Sequence, residues 1–222
     1  MKRNNKGFSL VELLVSFAIL GVISAIIGIM MTSGSNMFSR NRARLNLQYK
    51  SQVIASQVHT YLQNCNGGVA VDTNGDLYIA QKKSSDSDPD YVGCVYMLAL
   101  GADSDADKLY LRRFDIRTQP EVGGGVKFTA SYELQEGGSQ TVEEIGSDDF
   151  ANCFAQPMCS DVASWNTVLN AKYAKIDMNF NQNNITYTKN IAESFRNRPV
   201  IVSASEAGGN QLINTLIERV WR

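Results

Sequence analysis

"KGFSLVELLVSFAILG", from Lys6 to Gly21, sets a carboxylate, Glu12, inside a run that otherwise reads as membrane-spanning. An ionised side chain in hydrocarbon costs about 2.5 to 3.5 kcal/mol even on forgiving insertion scales, so this one needs a partner or a reason. From Phe8 to Met31 the only polar residues are Ser9, Glu12, Ser16 and Ser24. As an α-helix that stretch covers about 36 Å, enough to cross a hydrocarbon core of about 30 Å with some tilt. A cleaved secretory signal would have a shorter apolar core, roughly 7 to 15 residues, followed by a small-residue cleavage site. Here the far end reads "GIMMTSGSNMFSRNRARLNL", without such a site. The segment is expected to stay attached.

Basic residues flank both ends: Lys2, Arg3 and Lys6 before the span, Arg40, Arg42 and Arg44 after it. The nearer cluster leans toward an N-terminus in the cytoplasm and a body outside it. Beyond the span the helical pattern continues. There is no proline between Met31 and Cys65, and Val53, Ile54, Val58, Tyr61 and Leu62 fall at helical spacing. One helix from about Phe8 to Leu62 is expected, its first half (8–31) in the membrane and its second half (32–64) laying an apolar stripe on a domain. Ser33, Gly34 and Ser35 form a candidate bend.

At "NCNGGV" the helix is expected to stop and short β-type runs begin. "VAV" and "LYIA" flank "DTNGD", a hairpin signal. "YVGCVYMLAL" and "KLYLRRFDI" flank an Asp-rich turn, "VKFTASYEL" follows a glycine triplet, and "AKIDMNF" and "ITYTKNI" are joined by "NQNN". The body, 65–222, therefore reads as a mainly antiparallel sheet with the second half of the long helix as its cover, an α+β architecture. In "GGNQLINTLIERVWR" the apolar residues recur on one side of a helix spanning 209–222. That helix either packs on its own domain or docks on a neighbouring subunit.

The composition is that of an ordinary globular chain of 222 residues, 44% hydrophobic and 19% charged, with a formal net charge of −1. Three of its 21 basic residues precede the span; the other 18 face 22 acidic ones, which is no footprint for nucleic-acid binding.

The sequence around Glu12 resembles the type IV pilin superfamily, which includes the pseudopilins of type II secretion and of DNA uptake. The resemblance runs through the basic leader "MKRNNK", Gly7, Phe8 and "FSLVELL", with Glu12 the fifth residue after the Gly7–Phe8 bond. It implies a leader of residues 1–7, cleavage after Gly7 by a prepilin peptidase, methylation of the new amine on Phe8, and a pilin-like fold. It also implies partners: other pilins or pseudopilins through the N-terminal helix, and an inner-membrane assembly platform. A freed amine on Phe8 would pair with Glu12, each offsetting the other's desolvation, and across subunits the pair would set the register of assembly. Near the interface Glu12 also has the simpler option of snorkelling. Gly21 with Ala25 and Ser24 with Gly28 have the spacing that permits close helix contact.

Many major pilins carry a proline in the middle of the span, whereas the first proline here is Pro89. A minor subunit is therefore the better reading, and "RLNLQYKSQVIASQVHTYLQNCNGGV" resembles minor pilins of the W or J type. Such a subunit serves assembly initiation or surface presentation in a cell-surface or periplasmic filament. The alternative is a membrane-anchored binding module outside any filament.

The remaining candidates are less specific. Cys65, Cys94, Cys153 and Cys159 lie beyond the span; an even count outside the cytoplasm suits two disulfides, with Cys153–Cys159 and Cys65–Cys94 one of three pairings, and buried free thiols the other option. Their spacing does not suit zinc. "DTNGDLYIA" begins like a calcium loop but has its glycine one position early and no closing Glu, and Asp103, Asp105 and Asp107 read as a solvated turn. The lone His59 lies on the long helix, and the chain contains no G-x-S-x-G, H-E-x-x-H or Walker-type loop. No enzyme activity, cofactor, metal centre or nucleic-acid partner is expected. The Asn184-Ile185-Thr186 sequon falls in a turn.

Overall fold

The computed structural model describes residues 9–84, 88–121, 123–203 and 211–222. The chain divides into two units, Met1–Leu45 and Asn46–Arg222, and the boundary falls within a single helix, α1 (Leu10–Gln63). That helix is unbroken, and Ser33, Gly34 and Ser35 are helical. Its end is held by Asn66, whose Oδ1 accepts from Lys82 N at 2.6 Å while its amide donates to Lys82 O at 3.2 Å.

In the second unit, α1 buries one stripe, Leu47, Ser51, Ile54, Val58 and Leu62, spaced by three or four residues as one helix face requires. The chain then runs through β1 (Gly68–Val71), β2 (Leu77–Lys82), β3 (Tyr91–Leu100), β4 (Leu109–Pro120), β5 (Val126–Glu133) and β6 (Ser139–Val142). After a short α2 (Ser147–Asn152) come β7 (Gln156–Cys159), β8 (Val162–Leu169), β9 (Tyr173–Gln182), β10 (Ile185–Ser194) and β11 (Val200–Ser203). The last element is α3 (Gln211–Trp221).

The strands form two sheets where the sequence pattern suggested one. The larger is ordered β11-β1-β2-β3-β4-β5-β6, with β7 also pairing β4; the smaller is β10-β9-β8. Neighbouring strands are antiparallel except β1 and β11, which run parallel with Gly68 opposite Val200. The expected hairpins are all present. In the β9–β10 turn Asn183 and Asn184 both have positive φ, 52° and 61°, the geometry of a two-residue turn that asparagine tolerates. In the β1–β2 turn Asp72 Oδ1 accepts from Asn74 N at 2.7 Å and Asp76 N at 3.0 Å.

Around β2 the large sheet is apolar on both faces. Leu77 and Ile79 of β2, with Val69, Leu98 and Leu109, join the α1 stripe and the inner face of the small sheet, Trp165, Ile176, Met178 and Phe180. Tyr78 and Ala80 of β2 point the other way, where Ala70, Val95, Phe114 and Ile116 meet Leu212, Ile213, Leu216, Ile217 and Val220 of α3. Alternation along a strand assigns these residues to opposite faces. The C-terminal helix thus packs on its own domain. It is described from Gln211, and residues 209 and 210 lie outside the described residues.

Two glycines let α3 approach. A Cβ on Gly68 would stand 2.7 Å from Val220 Cγ2 and 2.8 Å from Leu216 Cδ1. Gly93, with φ of 154°, sits at an irregularity between β3 and β4, and a Cβ there would meet Gln81 O at 2.2 Å and Trp221 Cζ2 at 2.8 Å. The Trp221 indole donates to Val92 O at 3.0 Å, fastening the end of α3 to this bulge. A second tie pairs the Asn214 amide with Ile145: Ile145 N donates to Oδ1 and Nδ2 donates to Ile145 O, both at 3.1 Å.

Gly93→Ala should lower the unfolding free energy by about 2 kcal/mol or more, since the atom it meets is backbone; urea unfolding of the full-length protein in detergent measures it. Asp76 supplies a pH test. Burial, with Asp72 as the second cause, pushes its carboxyl from 3.8 up to about 7. The folded state therefore holds its proton more tightly than the unfolded chain. Its contribution is fully present below about pH 4 and is lost as pH rises toward 7. Asp76→Asn should be more stable than the wild type at pH 8, the difference vanishing near pH 4 in melting curves.

Candidate functional site

The first half of α1 is apolar all round. Leu10, Val11, Leu13, Leu14, Phe17, Leu20, Ile26 and Met30 are all exposed, and this is the one described helix long and apolar enough to cross a membrane. A helix with no polar face belongs in lipid or among other helices. Three of its hydroxyls are turned onto the helix backbone: Ser16 Oγ donates to Glu12 O at 2.7 Å, Ser24 Oγ to Leu20 O at 2.8 Å, and Thr32 Oγ1 to Ile29 O at 3.0 Å. These bonds to the helix backbone satisfy three hydroxyls that hydrocarbon could not. Around Gly21 and Gly28 the space where a Cβ would stand is open, which leaves room for a partner helix against the backbone.

Glu12 stands in the first turn of α1, and its Oε2 accepts from Ser9 N at 3.1 Å. The carboxylate is thus folded back on the N-terminal end of the helix, where unpaired backbone N–H groups favour negative charge. Gly7 and Phe8, the expected processing residues, lie outside the described residues.

Residues 2–28 match the family model of the prokaryotic N-terminal methylation motif. The chain carries a prokaryotic N-terminal methylation motif. Neither a curated protein nor a solved structure matches the chain. The motif supports processing of the pilin and pseudopilin type, and the apolar helix it opens fits a single-pass membrane anchor.

Away from the methylation motif, the four cysteines stand as free thiols in the structure, Cys65, Cys94 and Cys153 buried and Cys159 partly so. Cys153 belongs to the cluster under α3, whereas Cys159 packs with the cluster on the α1 side, so the sheet separates that pair. Cys65 is wholly buried and its Sγ faces Gly68 O at 3.4 Å and Ala80 O at 3.5 Å. Burial pushes the thiols of Cys65 and Cys153 up to about 11. They behave as small hydrophobes.

The other candidates resolve into structure. The Asp72 turn is closed by its own backbone N–H groups, and Trp165 Nε1 donates to Gly75 O at 3.0 Å. Asp105 is occupied by Lys108 at 2.6 Å and Tyr110 at 3.0 Å. His59 lies 2.8 Å from Glu193, joining α1 to β10. No group of three or more potential metal ligands occurs among the described residues.

Sequence reasoning passed over one face. On the α1 side of the large sheet, beyond the cover of helix and small sheet, β3 to β6 carry a polar and aromatic surface. Cys94, Asp115, Ser131 and Thr141 lie in one line across the four strands, with Tyr96 opposite Arg113 and Tyr91 opposite Arg117. The irregularity before Gly93 is what brings Tyr91 onto the same face as Cys94 and Tyr96. Tyr61 of α1 meets Tyr96 with ring centroids 4.8 Å apart, and the Arg113 and Arg117 guanidinium groups lie 6.0 Å from the rings of Tyr96 and Tyr91. Each arginine has a carboxylate: Arg113 and Asp115 at 2.8 Å, Arg117 and Asp88 at 3.1 Å. Burial, with Cys94 next, pushes the Tyr91 hydroxyl up to about 12 and raises that of Tyr96 as well. The alternation Arg113-Phe114-Asp115-Ile116-Arg117 was the available signal. It marks one wet face and one dry face, but not that the wet face is a groove.

Alkylation with iodoacetamide after denaturation, without reductant, should modify all four cysteines, read by intact mass. In the folded protein the partly exposed Cys159 should react first and Cys65 last. A mass showing two or four unmodified cysteines would establish disulfides.

Proposed function

We propose that the chain is a minor pilin or pseudopilin subunit: a prepilin peptidase cleaves it after Gly7, Phe8 is methylated, and α1 carries it into a thin filament. One observation carries this reading. The methylation motif at residues 2–28 runs without interruption into an exposed apolar helix that continues as the buried spine of a folded body. A secreted or peripheral domain has no use for such a helix.

The mechanism rests on Glu12. Before cleavage the positive charges at the N-terminus belong to Lys2, Arg3 and Lys6, on the cytoplasmic side. Removal of residues 1–7 leaves a methylated amine on Phe8, next in the chain to Ser9, on whose N–H the Glu12 carboxylate is folded. Amine and carboxylate in apolar surroundings neutralise one another, whether within one chain or between neighbours. A subunit at the wrong axial position leaves both charges unpaired, at a cost of several kcal/mol. The body stays outside the cytoplasm, and partners are other pilins through α1 and the inner-membrane platform that feeds them. The protein acts as a structural subunit, in assembly initiation or surface presentation. The groove on β3 to β6 favours a second reading, a membrane-anchored binding module outside any filament.

The N-terminal peptide of protein from native membranes or sheared filaments should begin at methylated Phe8. A chain beginning at Met1 in cells with an active prepilin peptidase overturns the reading. Gly7→Val should block cleavage. Glu12→Ala should be cleaved normally yet recovered from sheared filaments at a level about tenfold lower, the loss of roughly 1.4 kcal/mol.

A further inference from the structure

From the open face of the large sheet we infer that the body binds a neutral oligosaccharide in the groove over β3 to β6. The groove encloses about 680 Å³, within the range of small-ligand sites. Its floor is four strands wide, about 14 Å at the usual strand spacing. It is a trough rather than a pit, and suits a short chain of rings laid across it.

The lining decides the ligand class. Tyr61, Tyr96 and Phe154 offer aromatic surface at the groove, and Phe154 is 47% exposed although it adjoins buried Cys153. Rings of this kind take the apolar face of a sugar, while their edges remain wet. Between them stands a ladder of planar, bidentate groups. Arg113 Nε and Nη2 both reach Asp115 Oδ1 at 2.8 Å, while Arg117 Nη1 reaches Asp88 Oδ2 at 3.1 Å. Guanidinium and carboxylate forks match vicinal hydroxyl pairs, which both donate and accept. Ser131 and Thr141 add hydroxyls in line with Asp115.

Charge argues for a neutral ligand. Each arginine is already matched to a carboxylate, so an anionic ligand would have to compete with Asp115 or Asp88 and would also face Glu133 of the lining, while a cationic one would meet the guanidinium groups. A hydroxyl-rich neutral ligand bonds to both members of a pair without separating them. The covers of the fold leave this face bare, whereas the same strands are packed on their other side through Phe114, Ile116, Ala130 and Tyr132. The inference does not depend on the chain entering a filament.

The test uses full-length protein in detergent micelles on an array of neutral oligosaccharides (gluco-, manno-, galacto- and N-acetylglucosamine series) and uronate-bearing ones, with affinities then measured by calorimetry. A neutral series should bind. Tyr96→Ala should weaken that binding about tenfold or more, as loss of an aromatic anchor does, and Arg113→Gln should weaken it too. Phe154→Ala, at an exposed position, keeps the test open if Tyr96→Ala fails to fold, as judged by its melting curve. The inference is overturned if no neutral oligosaccharide binds, if only uronate-bearing ones do, or if binding survives in folded Phe154→Ala and Arg113→Gln proteins.

Discussion

Leu77, Tyr78, Ile79 and Ala80 are consecutive residues of β2, and all four are buried. A strand that hides both of its sides obliges its sheet to be covered twice, and every other element of the body answers to that demand. On one side lie the second half of α1 and the small sheet; on the other lies α3. Each cover is itself amphipathic. The small sheet turns Ile176, Met178 and Phe180 inward and Lys175, Asn179 and Asn181 outward, the half-wet alternation of an antiparallel sheet. Where the covers stop, over β3 to β6, the strand alternation persists but the outward residues change to Tyr, Arg, Asp, Ser and Thr. The groove is the part of the sheet that the covers do not reach.

The same helix serves two solvents. Up to Met31 its residues are exposed and almost all apolar, from Thr32 to Leu45 they are largely exposed and mixed with Arg40, Arg42 and Arg44, and from Leu47 onward its apolar residues lie on one stripe against two sheets. Helix periodicity is common to both halves, and only the distribution of polar residues around the axis changes. Ser33, Gly34 and Ser35 are themselves helical.

Much of this was written locally. The apolar run, the absence of proline before Pro89 and the stripe ending at Leu62 sufficed to place α1, and the paired β-runs around "DTNGD" and "NQNN" sufficed to place their hairpins. What stayed hidden depends on long-range pairing. β11 is four residues long and lies beside β1 across 132 residues of sequence, a partnership that no local pattern announces. Splitting of the strands into two sheets is likewise decided by which faces find cover, not by alternation. The cysteines illustrate the same limit: Cys153 and Cys159 are six apart in sequence but lie on opposite sides of a sheet. At the N-terminus, the methylation motif was legible because its context is linear, a few residues read in order.

The parallel pairing of β1 with β11 has a further meaning for the life of the chain. β1 is the first strand after α1, and it stays an unpaired edge until residues 200–203 arrive; the apolar side it shares with Tyr78 and Ala80 stays bare until α3 follows. Contacts of such long sequence separation form late and slowly. A chain threaded through the membrane behind its anchor would hold an adhesive sheet edge exposed for almost the whole of its passage. Completion of the fold therefore waits on residues 200–221, which makes β11 and α3 the timing elements of maturation.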